Sequence, residues 1–362
     1  MSRKGLKFFA GVATIVAFSG PFLMPSSNSM AITQAPGGGS IPAASTALPA
    51  STGVDGPGVA SAKPVLRLFD AGAEPRQALR YKWVKGAEQL LYATYLTRQD
   101  ASTGEIKLPT GMNQAYTTTM KVVVSDAGAK KSTVTLEIVG SEISANEDGD
   151  SPMNAMLKPT MKGMIGIRWT QELSARGETL SSQVKLPGKV DAMIAQMFES
   201  FKGNFSEMTT MFPEEPVGLG GWWTITSTQG GMGLSFRLTR TVTVDKIEGD
   251  AVTLSTVLSS EAGKQEMKLP AGMSLPGMKM EMLSMRMAGR SSTVTSLQKV
   301  LPEFSSIDMF TDSEMSFTTD MPGMPEGPKT VVSTMTTKIR LSAAKPDLAP
   351  KVTVPAEAPA KK

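Results

Sequence analysis

Period-two alternation is the feature that most restricts what this chain can become. Between Ser132 and Val139 the apolar residues Val134, Leu136 and Ile138 fall on every second position, the beat of a half-buried β-strand. Similar strand segments run from Tyr116 to Val124, from Ile165 to Leu173 and from Thr179 to Leu186. Turn residues at Asp126-Ala127-Gly128 and Arg176-Gly177 separate them. Leu79 to Gly86 also alternates, turns at Gly86, and is followed by Gln89 to Thr97, which reads as a hairpin. The first half is therefore expected to be an antiparallel meander of about six strands.

The centre of the chain breaks this beat. Val190, Ile194, Met197, Phe198 and Phe201 recur at three- and four-residue spacing, which predicts one amphipathic helix ending at Gly203. A shorter helical pattern through Phe205, Met208, Met211 and Phe212 leads into Pro213 to Trp223, where two prolines and three glycines form a joint. Strand segments then resume, at Ser291 to Leu297, Ile307 to Thr318 and Thr330 to Leu341. Met321-Pro322-Gly323-Met324-Pro325 is a loop that no central strand could contain. Tyr95 to Arg98 matches Arg237 to Arg240 at three of four positions. Val122 to Asp126 with Val134 to Leu136 matches Val242 to Lys246 with Val252 to Leu254. The expectation is mainly β: two similar antiparallel meander sheets, a degenerate repeat, with an amphipathic helix between them.

Composition excludes more chemistry than any motif adds. The 362 residues contain neither Cys nor His. Disulfides, thiolate nucleophiles, a Ser-His-Asp triad and His- or Cys-ligated metals are all ruled out. Formal charge is +4, and setting aside Arg3, Lys4 and Lys7 leaves 34 basic against 33 acidic side chains, so no surface argues for nucleic acid. Enzymes built on carboxylates, Lys or Tyr alone remain open, yet nothing assigns a catalytic residue, a cofactor or a metal ligand. The reading is a non-enzymatic protein.

The ends give an address. Arg3, Lys4 and Lys7, the apolar run Phe8 to Phe18, the Gly20-Pro21 break and the small-residue site Ser29-Met30-Ala31 form a signal-peptide layout over residues 1–31. The apolar run is about half the roughly 20 residues of a spanning helix, so no integral span is expected after cleavage. Residues 32–64, rich in Ala, Pro, Gly and Ser, read as a disordered linker, and residues 344–362 as a Pro/Ala/Lys tail. Between them lie a first meander half (65–188), a helical connector (189–212) and a second half (213–343). Export to the periplasm, the envelope or beyond is expected.

Leu79-Arg80-Tyr81-Lys82-Trp83-Val84-Lys85-Gly86, Phe212-Pro213-Glu214-Glu215-Pro216-Val217 and Gly220-Gly221-Trp222-Trp223-Thr224 resemble a bacterial family of exported proteins known only as a domain of unknown function. Members join a Tyr-Lys-rich opening strand to a central Pro-x-x-Pro-Val element followed by Gly-Asp-Ser/Thr-Trp. The resemblance runs from about Leu79 to Leu341. It departs at Gly221, where the family has an acid, and in lacking the lipidated Cys of many members. It implies fold and location, and brings no catalytic residues.

Methionine is the unusual side chain, with 26 copies. In Met278-Lys279-Met280-Glu281-Met282 alternation puts three thioethers on one face, and Met285 and Met287 repeat it. Clustered thioethers are soft ligands suited to Cu(I) or Ag(I). They are also adaptable apolar fillers, and alternation with Lys279 and Glu281 favours a core or groove over copper. The candidate groove comprises Met193, Met197, Phe198, Met278, Met280, Met282 and Trp223, with a lipid or apolar small molecule as ligand. The alternative is a structural or interaction protein whose partner is a cell-envelope component. Asn146-Glu147-Asp148-Gly149-Asp150 lacks the Gly and Glu spacing of an EF-hand loop and reads as a solvated turn. The Ser-x-x-Lys spacings at Ser182 and Ser296, the Leu108-Pro109-Thr110-Gly111 segment and the Gly-rich stretches near Gly218 and Gly230 lack the context their chemistry requires.

Overall fold

The computed structural model describes residues 63–104, 106–107, 114–143, 158–159, 161–187, 209–231, 234–267, 279–318 and 329–345. Fourteen strands follow in chain order: β1 (Val65–Asp70), β2 (Glu88–Thr103), β3 (Ile106–Lys107), β4 (Gln114–Ala127), β5 (Lys131–Ile143), β6 (Arg168–Ser174), β7 (Thr179–Lys185), β8 (Trp222–Gly231), β9 (Leu234–Glu248), β10 (Ala251–Ala262), β11 (Gln265–Met267), β12 (Lys279–Ser296), β13 (Phe304–Thr318) and β14 (Lys329–Ser342). The expected mainly-β class holds, and the Val134, Leu136, Ile138 beat appears as buried positions of β5. No helix among the described residues is long and apolar enough to cross a membrane.

The strands form one sheet, not the two that the halves suggested. Its order is β1-β8-β9-β10-β12-β13-β14-β2-β4-β5-β6-β7, with β3 on β2 and β11 on β12. β14 runs antiparallel to β2 from Val332↔Ser102 to Ser342↔Tyr92, which welds the last strand of the second half to the first long strand of the first. β1 crosses the other way and pairs with β8. Each open edge presents a row of unpaired N–H and C=O groups. Two separate sheets would carry four such edges, and among the described residues the main path of the merged sheet ends at two, β1 and β7. The echo between the halves is also divided: Tyr95 to Arg98 lies on β2 and Val122 to Asp126 on β4, while both matching segments lie on β9.

The sheet is rolled, and one end is filled by chain. Trp223 Nε1 on β8 donates to Met211 O at 3.1 Å. One residue on, Phe212 N donates to Arg176 O at 2.8 Å, in the turn between β6 and β7 at the far side of the sheet. Thr209 Oγ1 donates to Gly177 O at 2.7 Å in the same turn. Four consecutive residues thus bridge strands that lie nine places apart in the sheet order. Met211, Phe212 and Val217 are buried in the main core with Trp223, Trp169 and Leu254. The expected joint between halves is therefore a plug, and residues 209–213 are not helical.

Leu79 to Gly86 corrects the expected hairpin. Leu79, Tyr81 and Trp83 alternate inward and are buried, as the pattern requires. Their backbone, however, joins no ladder: Tyr81 N donates to Ala175 O at 2.7 Å and Lys82 N to Leu297 O at 2.6 Å, in two different turns. Tyr81 stacks on Trp83 at 4.8 Å and meets Phe212 at 5.1 Å, so this extended segment is the second part of the plug. The helix expected from Val190 to Phe201 lies outside the described residues.

Candidate functional site

Alternation fixes which side chains face the interior of the roll, and register stacks them into rungs. Nearest the plug, Trp223, Val242, Thr256, Ser291, Ile307, Ile339, Tyr95 and Tyr116 oppose one another strand by strand. The next rung holds Ile225, Arg240, Leu258, Gly289, Met309, Thr337 and Thr97. The third holds Ser227, Leu238, Ser260, Met287, Thr311, Met335 and Gln99. Further from the plug a second apolar cluster gathers Met267, Met280, Met282, Met315, Phe317, Val331 and Ala101. Two apolar zones are thus separated by a belt in which buried hydroxyls, amides and one guanidinium alternate with Leu, Ile and Met.

The belt has few polar groups and its satisfaction is uneven. Gln99 Nε2 donates to Ser333 Oγ at 2.9 Å, and Thr97 and Thr337 hydroxyls lie 3.5 Å apart. Ser227 Oγ, Ser260 Oγ and Gln99 Oε1 are buried without a hydrogen-bond partner. Most buried polar atoms find one, because leaving a donor or acceptor unpaired costs about 1–3 kcal/mol. Arg240 is 4% exposed and is the one charged residue in the buried set of described residues. Closer to the plug, burial raises the phenol pKa values of Tyr81, Tyr95 and Tyr116, with the Tyr81 hydroxyl 3.3 Å from Thr210 O. Arg80 is pulled below its ordinary value, first by burial and then by Arg176, while donating to Pro213 O and Glu214 O.

The structure divides the expected groove residues. Met280 and Met282 share the inner face of β12, with Met280 opposite Met267 and Phe317 and Met282 opposite Met315. Met285 and Met287 stay on that face because Leu283 is an extra residue, a bulge between Met282 and Ser284 that restores parity. Trp223 faces the same interior but belongs to the other cluster, four rungs or about 26 Å of strand away. It is fully buried, whereas Trp222 lies on the opposite face and stacks on Phe69 at 4.4 Å. Met193, Met197, Phe198 and Met278 lie outside the described residues, as do Asn146 to Asp150 and Leu108 to Gly111.

Arg240, Ser227, Ser260 and Gln99 were not among the expected residues, although a signal existed. Leu238-x-Arg240-x-Val242 places a charge on the apolar parity of a strand, where a polar residue is out of pattern. On the outer face a cavity of about 430 Å³ is lined by residues including Glu261, Arg286, Asp312, Glu314 and Val332. It brings carboxylates together, yet Glu261 is ion-paired with Arg286 at 3.3 Å and both side chains are mostly exposed, as on any solvated sheet face. Among the described residues no group of three or more Asp or Glu is placed to hold a metal ion.

Residues 188–299 match a family described as a family of unknown function (DUF6263). The resemblance to an uncharacterised family is thus supported over the connector and β8 to β12, a narrower span than Leu79 to Leu341. No curated protein matches the chain.

Proposed function

We propose that the chain is an exported envelope protein, without catalytic activity, that binds an apolar or lipid-like ligand against the inner face of its rolled sheet. The observation carrying this reading is the inner face itself: Leu, Ile and Met walls interrupted by buried polar groups, several of which, Ser227, Ser260, Ser291, Ser305 and Gln99 among them, have atoms without a hydrogen-bond partner. Ligand sites are mostly apolar surfaces with a small number of placed polar groups. A purely structural interior gains nothing from unpaired hydroxyls, and an apolar filling would cost less. The leader-like residues 1–31 and the Ala/Pro/Gly/Ser-rich residues 32–64 support export in this reading, with the domain tethered or released outside the cytoplasm. The duplication of the two halves, retained in the β4–β5 and β9–β10 hairpins, and the amphipathic helix from Val190 to Phe201 stand beside it as proposals.

A second reading, an envelope scaffold without a small ligand, draws on the burial of Met280 and Met282 inside an apolar cluster. The two separate in a native mass spectrum of the mature chain, purified from a bacterial periplasm after export of the full sequence, against its denatured mass. Added mass that organic solvent removes and that proves to be lipid supports the binding reading. An apo mass unchanged after lipid is offered overturns it and leaves the scaffold. Offering Cu(I) to the same sample tests the thioethers of Met267, Met280, Met282 and Met315, and stoichiometric uptake would assign them to a soft metal.

A further inference from the structure

Methionine is concentrated in the cluster far from the plug, where a mere packing filler would be spread through both. Four of the seven buried members of that cluster are Met, against six of 35 in the main core, so the chain's overall methionine content does not account for it. Met280 on β12 stands opposite Met267 on β11, and Met282, at the next inward position, stands opposite Met315 on β13. Side chains opposed across strands lie about 5 Å apart at Cβ, and successive inward positions of one strand about 7 Å. Three rotatable bonds let each thioether swing over much of that distance, so sulfurs from neighbouring strands can meet at one point. All four residues are at most 6% exposed. The run Met280-x-Met282 supplies two donors, and strand pairing brings Met267 and Met315 to them.

We infer that this cluster holds one soft monovalent ion, Cu(I) or Ag(I), on the thioethers of Met280, Met282 and Met315, with Met267 as a fourth donor. Thioether sulfur suits such ions, while the neighbouring side chains of Phe317, Val331 and Ala101 offer no oxygen or nitrogen to a hard, hydrated cation. A bare ion bonded to sulfur needs no open volume beyond what small rotations of these side chains give. The way in is the cavity of about 430 Å³, because Ala262 and Met285 line it and also pack against the cluster. Its lining sets three carboxylates, Glu261, Asp312 and Glu314, against the guanidinium of Arg286, a balance that draws cations. Thioethers have no proton to lose, so uptake releases none and is independent of pH, unlike binding by carboxylate, imidazole or thiolate. The site stands independently of the apolar ligand proposed above.

The test is a titration of the full exported chain with Ag(I) in chloride-free buffer and with Cu(I) under reductant, at mildly acidic and at neutral pH, read by competition with a chromophoric chelator. A single ion per chain is expected, with the same affinity at both pH values and no uptake of Zn(II) at the same concentration. Met282→Leu and Met315→Leu keep the side-chain volume and remove the sulfur. Each should weaken binding about tenfold or more, the loss found even where a residue that only supports a metal ligand is changed. Met120→Leu, in the main core, should leave it unchanged. If the cluster variants do not fold, X-ray absorption of the loaded, unaltered chain reads the same site and should show sulfur as the ion's only near neighbours. Failure of both ions to bind, an affinity that falls with pH, oxygen or nitrogen neighbours in the absorption spectrum, or equal binding by Met282→Leu and Met120→Leu overturns the site. Each of these outcomes leaves the apolar-ligand reading to its own test, the added mass that organic solvent removes.

Discussion

The buried phenols make stability depend on alkaline pH. Tyr95 stacks on Tyr116 at 4.6 Å, and Tyr81 lies in the plug against Trp83 and Phe212. Burial disfavours the phenolate, so all three have folded pKa values above the ordinary tyrosine value. A raised folded pKa means that their contribution is fully present below about pH 10 and is lost as pH rises beyond it. Phenolate absorbance followed beside far-ultraviolet circular dichroism should show these three groups ionising only as the sheet unfolds. Their ionisation within an intact sheet would contradict the burial. A second residue-scale test contrasts two left-handed glycines. Gly177 has φ +83° and a Cβ there would lie 2.4 Å from Thr210 O, while Gly86 has φ +82° and open space around it. Gly86→Ala pays only the backbone strain, about 1 kcal/mol. Gly177→Ala must also push the plug away, and about 2–4 kcal/mol is expected in urea unfolding. Arg240 shows what was legible at this scale: Leu238-x-Arg240-x-Val242 puts it on the buried parity of β9, whereas its match to Arg98 carries no information about direction, since Arg98 on β2 is exposed.

At the scale of elements, alternation identified faces reliably and partners poorly. Leu79, Tyr81 and Trp83 were correctly spaced to be buried together, yet period two says nothing about where the backbone bonds go. A strand in a ladder and an extended plug look alike in sequence. β12 gives the opposite case, in which the sequence carried a contradiction that only structure resolves. Met280 and Met282 have even numbers, Met285 and Met287 odd, and one regular strand cannot turn all four inward. Leu283 supplies the missing step. Deleting Leu283 should therefore force a choice between the two methionine pairs, because a one-residue slip moves every following side chain to the other face. Exposing two methionines is expected to cost about 3 kcal/mol or more. An unfolding midpoint unchanged by the deletion would mean that the bulge does not set the register. The β9–β10 and β4–β5 hairpins were legible for the usual reason, since apolar alternation and a polar turn specify both arms locally.

For the whole molecule, the decisive information is long-range pairing, which local pattern does not encode. β1 belongs by sequence to the first half and by hydrogen bonding to the second, and β14 joins the second half back onto β2. The halves therefore complete each other's edges. The 209–217 segment adds a further dependence, since it holds Trp223 of one half and the Arg176-Gly177 turn of the other. This predicts that neither half is a folding unit. Residues 65–187 alone would leave β1 without β8 and the long edge of β2 open, and residues 209–345 alone would expose β14. Residues 188–299, the span of the family match, would end at β12 without β13. Each fragment, produced separately, should be aggregated or unfolded by size-exclusion chromatography and near-ultraviolet circular dichroism. Mixing the first two during refolding should recover a one-to-one complex with the near-ultraviolet spectrum of the intact chain. A monomeric, cooperatively unfolding half would instead restore the two-domain reading, and β1 and β14 would then be exchanged strands laid over two self-sufficient sheets. The rolled interior, with Arg240 on one half and Gln99 on the other, exists only if the halves fold as one.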